Sequence, residues 1–137
     1  MAVVITLNTD GPREPGYVLE VAEGLAESVR VLAHLTRDHE ALQYPSEADR
    51  LLRELASAAA RIPQLLAQAA RWHAAEDAAG RIEVPSGEWA GRPGTAVTAL
   101  QVRLDAARAT AAALAADLEH AAQVTSALAL KEDGTDA

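Results

Sequence analysis

Residues 97–128 read VTALQVRLDAARATAAALAADLEHAAQVTSAL. Apolar or small side chains recur at Val97, Leu100, Leu104, Ala107, Ala111, Leu114, Leu118, Ala121, Thr125 and Leu128. A 3-4-3-4 spacing sustained over more than four heptads marks a helix-packing seam rather than a reaction centre. Ala107, Ala111, Ala121 and Thr125 are small, so a partner helix can approach more closely than along a Leu-only seam. The spacing predicts a helix from about Thr95, a plausible N-cap, to about Leu130, with residues 131–137 a disordered tail.

Toward the N-terminus, Gly80, Pro85, Gly87, Gly91, Pro93 and Gly94 make residues 80–94 the longest loop. Before it, Ala48, Leu51, Leu55, Ala58, Ile62, Leu65, Ala69 and Trp72 predict a second helix from about Glu47 to Ala79. Leu52, Ala59 and Leu66 form a second stripe on it, and Pro63 is expected to kink it. A first helix is predicted from about Tyr17 to Gln43, with Val18, Val21, Leu25, Ser28, Leu32, Leu35, His39 and Leu42 on one face. Tyr44-Pro45-Ser46 ends that helix, and Ser46 with Asp49 resembles an N-terminal capping box. So short a connection implies an antiparallel pair.

Residues 2–7 are β-branched and apolar and read as a strand, followed by a turn-rich loop through residue 16. Arg81-Ile82-Glu83-Val84 is the only other strand-like segment. If the first two helices run antiparallel, both segments fall at one end and pair there. The expected fold is therefore all-α: an up-down-up three-helix bundle of long antiparallel coiled-coil-like helices, with a minor two-stranded β-ribbon at one end. The expected divisions are 1–16, 17–130 and 131–137.

The 137 residues suffice for one core without a staple. Two Trp, two Tyr and no Phe leave that core to Leu, Val, Ile and Ala, which suits packed helices. The absence of Cys removes disulfides and thiolate chemistry. With no N-terminal leader pattern, it points to the cytoplasm. No apolar run reaches the roughly 20 residues a membrane span needs, so no membrane partner is expected. A formal charge of −8 argues against direct nucleic-acid binding, which draws on Lys and Arg. The 33 Ala, and 11 Arg against one Lys, are what a GC-rich genome encodes.

Chemistry, if present, would rest on His34, His39, His73 and His120. His34 with Asp38, His73 with Asp77, and Asp117 with His120 have spacings that share a helix face. Helical bundles hold metals through such pairs, and His39, His120 and Asp117 could form a site in this topology. His73 would lie about 20 residues along, roughly 30 Å away. The carboxylate-histidine element is not repeated with the inward-facing Glu residues that a di-iron bundle uses. The histidines therefore read as surface or seam-edge residues, and no metal or other cofactor is expected. No serine has a glycine-elbow context, and no glycine-rich phosphate loop precedes a helix. The chain does not read as an enzyme.

Trp89-Ala90-Gly91, between two long helices, resembles the Trp-x-Gly turn of the small secreted helical-hairpin proteins of the WXG100 (ESAT-6-like) class. That resemblance covers the second helix, the loop and the third helix, and it implies export. The chain departs from the class in its additional first helix, in Pro93 and in lacking a Tyr-x-x-x-Asp/Glu signal near the C-terminus. A broader resemblance runs from Val29 to Ser46 (VRVLAHLTRDHEALQYPS) and continues through Arg61-Ile62-Pro63-Gln64-Leu65-Leu66 and Ala78-Ala79-Gly80-Arg81. These stretches resemble uncharacterised small all-helical actinobacterial proteins, often encoded near plasmid or integrated-element genes. That family has no established activity, so the resemblance implies source and fold alone.

The expected function is a non-enzymatic helical protein-protein interaction or regulatory module that pairs with itself as a homodimer or with another protein. A WXG100-like secreted protein and a metal-binding bundle are the alternatives. Candidate interaction residues are Asp38, His39 and Tyr44, which are too polar for simple core filling and read otherwise as turn supports. Trp89 and the Ala-rich flank Ala109, Ala112, Ala113 and Ala116 complete the set.

Overall fold

The computed structural model describes residues 7–11 and 14–131. Among the described residues are three α-helices, α1 (Pro15–Leu35), α2 (Pro45–Ala78) and α3 (Pro93–Thr125), and one 3₁₀ turn at His39–Ala41. The chain divides into two compact units, Met1–Gln43 and Tyr44–Ala137.

All three helices begin at a proline, at Pro15, Pro45 and Pro93, and none has a side-chain N-cap. Proline suits a first helical position because its missing N–H would be unpaired there and its φ is already helical. The N-cap residues of α2 and α3 are thus Tyr44 and Arg92, not Ser46 and Thr95. Each helix starts about two residues before the position expected from its periodicity.

In the first unit, α1 stops at Leu35, eight residues short of the expected end. The Thr36 hydroxyl donates to Leu32 O at 2.7 Å, and the Asp38 carboxylate accepts from Glu40 N at 3.3 Å. Such short polar side chains offer the backbone an alternative to helical pairing. The hydrophobic pattern continued to Leu42, but the capping chemistry at Thr36 and Asp38 prevailed. No residue of α1 is buried.

The expected β-ribbon is not seen among the described residues. No strand occurs among the described residues, and residues 2–6 of the expected first strand lie outside them. Arg81 to Val84 keeps a strand-like alternation, with Ile82 and Val84 half-buried and Arg81 and Glu83 exposed. Its backbone bonds nevertheless join it to the end of α2 and to its own loop. Arg81 N donates to Glu76 O at 3.0 Å, and Val84 O accepts from Gly91 N at 2.9 Å. The β-branched pattern marked an extended segment, but a strand also requires a ladder partner.

In the second unit α2 and α3 pack against each other. Gln101 Nε2 donates to Ala70 O at 2.8 Å, and a methyl group placed on Gly94 would stand 4.0 Å from Asp77 Oδ2. These two pairs lie one heptad apart on both helices and run in opposite directions, which fixes an antiparallel register. Continuing that register sets Ala56 level with Ala115, Ala59 beside Ala111, and Asp49 with Ala122. The buried hydrophobic residues are Ala56, Ala59, Val97, Ala111, Ala115 and Ala122, the last 0% exposed. Alanine facing alanine places the helix axes near the short end of the roughly 8–10 Å range.

Close packing also rotates the seam. Val97, Leu100, Leu104, Ala111, Leu118 and Thr125 are buried or half-buried as expected, but Ala115 and Ala122 are buried where Leu114 and Ala121 were expected. On α2 the stripe through Leu52, Ala59 and Leu66 faces the partner, and Ala58, Leu65 and Trp72 are exposed. A straight helix drifts about 20° per heptad against a strict seven-residue repeat. Small side chains let α2 and α3 meet along the alanine line rather than the leucine line. α2 continues through Pro63 to Ala78.

Candidate interaction surface

The expected site residues do not converge on a reaction centre. Asp38 caps the 3₁₀ turn, His39 is the first residue of that turn, and Tyr44 is the exposed N-cap residue of α2. His34, Leu35, Asp38, Glu40 and Ala41 line a shallow concavity. His73 is half-buried in the α2–α3 seam. Its Nδ1–H donates to Ala69 O at 2.8 Å, and its ring meets Trp72 edge-on, with centroids 4.9 Å apart at 83°. Asp117 and His120 are exposed. Among the described residues no three His, Asp or Glu side chains are grouped so as to hold a metal ion.

Trp89-Ala90-Gly91 forms a tight turn in the loop between α2 and α3. Ala90 N donates to Gly87 O at 3.1 Å, Gly91 N to Val84 O at 2.9 Å, and Arg92 N to Trp89 O at 2.8 Å. Gly91 has φ +70°, a left-handed conformation that a Cβ penalises. The turn therefore uses glycine for its backbone, which delivers the chain to Pro93 at the start of α3. Trp89 itself remains 37% exposed.

Ion pairing reinforces the end of α2. The Arg81 guanidinium grips Glu76 in a bidentate pair, Nε to Oε2 at 2.6 Å and Nη2 to Oε1 at 2.9 Å. The hydrogen bond from Arg81 holds the Glu76 carboxyl below its ordinary value. A group whose folded-state value is lowered stabilises the fold above its unfolded value and loses that contribution as pH falls through the folded one. Titrating stability downward from pH 7 should therefore show wild type losing more than Glu76→Gln below about pH 4.3, the ordinary glutamate value. Equal losses in the two proteins would show that the pair contributes nothing.

Ala109, Ala112, Ala113 and Ala116 are all exposed on α3, but they are not where the larger apolar side chains emerge. Leu65 is 56% exposed and Trp72 60% on α2, and Leu114 is 49% and Val124 64% on α3. Leu51, Ala58, Leu65 and Trp72 each precede by one residue a position on the buried line of α2. Arg103, Thr110, Asp117 and Val124 do the same on α3. In an antiparallel pair, residues displaced in the same sense from the buried line emerge on the same side. Leu65, Trp72, Leu114 and Val124 therefore share one face of the helix pair. The opposite face carries Arg53, Asp105, Ala112 and Glu119 in the equivalent positions and is more polar. Sequence periodicity had found the Leu51 to Trp72 stripe, but it assigned the stripe to the seam.

No helix among the described residues is long and apolar enough to cross a membrane. No family model matches the chain, and neither a curated protein nor a solved structure matches it.

Proposed function

We propose that the chain is a non-enzymatic, cytoplasmic helical interaction module that associates with a second copy of itself. The observation that carries this reading is the exposure of Leu65, Trp72, Leu114 and Val124 on one face of the α2–α3 pair. Large apolar side chains gathered on one face cost solubility unless they are covered, and an interaction supplies the cover. α2 has 34 residues, so at 1.5 Å per residue the face is about 50 Å long. Two helices side by side are about 18 Å wide. Covering the whole of this face would take up roughly 900 Å², room for the roughly 800 Å² per partner of a stable interface. Sedimentation equilibrium of the full chain over a concentration series tests the reading. A mass rising toward twice 14.4 kDa supports it, and a single-copy mass throughout contradicts self-association.

A second reading is favoured by one observation. Trp89-Ala90-Gly91 occupies an ordered turn joining two antiparallel helices, with glycine at the position whose φ requires it. A WXG100-like exported protein would carry such a turn there. Finding the chain in the culture medium of its host, and losing it from the medium in Trp89→Ala, would favour export over a cytoplasmic role.

A further inference from the structure

We infer that two copies pair through the face bearing Leu65 and Trp72 with their helices antiparallel, α2 on α2 and α3 on α3, so that Arg103 of each copy meets Asp117 of the other. This rests on the self-association proposed above and adds the surface and orientation. Two features of the face are symmetric about nearly the same level. On α2 the stripe Leu51, Ala58, Leu65, Trp72 has its midpoint between Arg61 and Ile62. A two-fold axis there sets Leu51 of one copy against the partner's Trp72, and Ala58 against the partner's Leu65, a small side chain opposite a larger one. On α3, Arg103 and Asp117 lie equidistant from Thr110. The register fixed by Gln101 with Ala70 and by Gly94 with Asp77 places Thr110 level with Arg61.

One axis therefore serves both helices, and the contact is isologous. Arg103 and Asp117 are both exposed, and neither enters an ion pair among the described residues. The other two-fold arrangement, about an axis parallel to the helices, would lay α2 over the partner's α3 in the same antiparallel register that α2 has with its own α3. It would put Glu54 level with the partner's Asp117, and like charges so placed are repulsive. Arg61, near the axis, is turned back along its own helix by a hydrogen bond to Ser57 O at 3.0 Å.

Sedimentation equilibrium on four full-length proteins tests this: wild type, Arg103→Asp, Asp117→Arg and the double exchange. Each single reversal breaks two symmetry-related pairs and should weaken dimerisation about tenfold, whereas the double variant should return to within about threefold of wild type. Leu65→Lys, on an exposed position that leaves the alanine seam untouched, should give a monomer with an unchanged helical spectrum. Dimerisation that ignores all four changes, or singles that the double does not rescue, would overturn this surface and leave self-association standing. A wild type that is monomeric throughout would overturn both.

Discussion

Ala115→Leu should lower the thermal midpoint of the chain by several degrees, the largest effect expected from a substitution that adds rather than removes apolar surface. Ala115 is buried in the α2–α3 seam and lies level with Ala56, itself buried. Three added carbons have no room between helices drawn together by alanine. Overpacking of this kind costs about 1–3 kcal/mol, or very roughly 2–10 °C for a domain of this size. The same exchange at Ala112, exposed on α3, should leave the midpoint within about a degree. Thermal denaturation followed by circular dichroism separates the two. Equal midpoints would mean that the seam does not run along the alanines.

Gly91→Val should destabilise the loop between α2 and α3 by about 2 kcal/mol. The penalty combines a Cβ in the left-handed region with the stiffness of a β-branched side chain. Nothing crowds the position, since a Cβ there would meet no atom within 4 Å, so the cost is conformational rather than steric. Losing that conformation also loosens the bond from Gly91 N to Val84 O that closes the loop. Limited proteolysis should then cut residues 80–92 faster than in wild type, while Gly16→Val, on exposed helical backbone, should not accelerate that cleavage. An unchanged cleavage rate in Gly91→Val would place the loop's order elsewhere.

Helix existence was legible because apolar residues recur at helical spacing in all three helices; that recurrence records burial in α2 and α3, whereas no residue of α1 is buried. Helix ends were less legible. Periodicity places the core-facing residues, whereas the ends follow backbone chemistry: proline at all three starts, and Thr36 and Asp38 at the early close of α1. Arg81 to Val84 shows that strand propensity specifies an extended backbone and leaves open whether a partner is present to pair with it.

The candidate surface was half legible. α2 carries two stripes, and heptad spacing assigned the seam to the one that includes Leu65 and Trp72; Ala48, Leu51, Leu55, Ile62 and Ala69 of that stripe are half-buried, and Ala58, Leu65 and Trp72 are exposed. The close approach allowed by Ala56, Ala59, Ala111 and Ala115 turned the seam toward the stripe through Leu52, Ala59 and Leu66. The decision depended on how near two backbones can come, which is a property of both helices together and is not written in either alone. Trp89-Ala90-Gly91 was conspicuous in the sequence, and its structural basis is the positive φ of Gly91.

The most direct test of the self-associating face is the accessibility of Trp72 as a function of protein concentration. In Trp89→Phe, Trp72 is the sole tryptophan and its fluorescence can be quenched with acrylamide. In dilute solution, quenching should be efficient, in keeping with a side chain 60% exposed. It should fall as concentration rises and the face becomes covered by a second copy, and Leu65→Lys in the same background should abolish that fall. Quenching that stays the same at every concentration, whether efficient or weak, would contradict the claim that this face is where two copies meet.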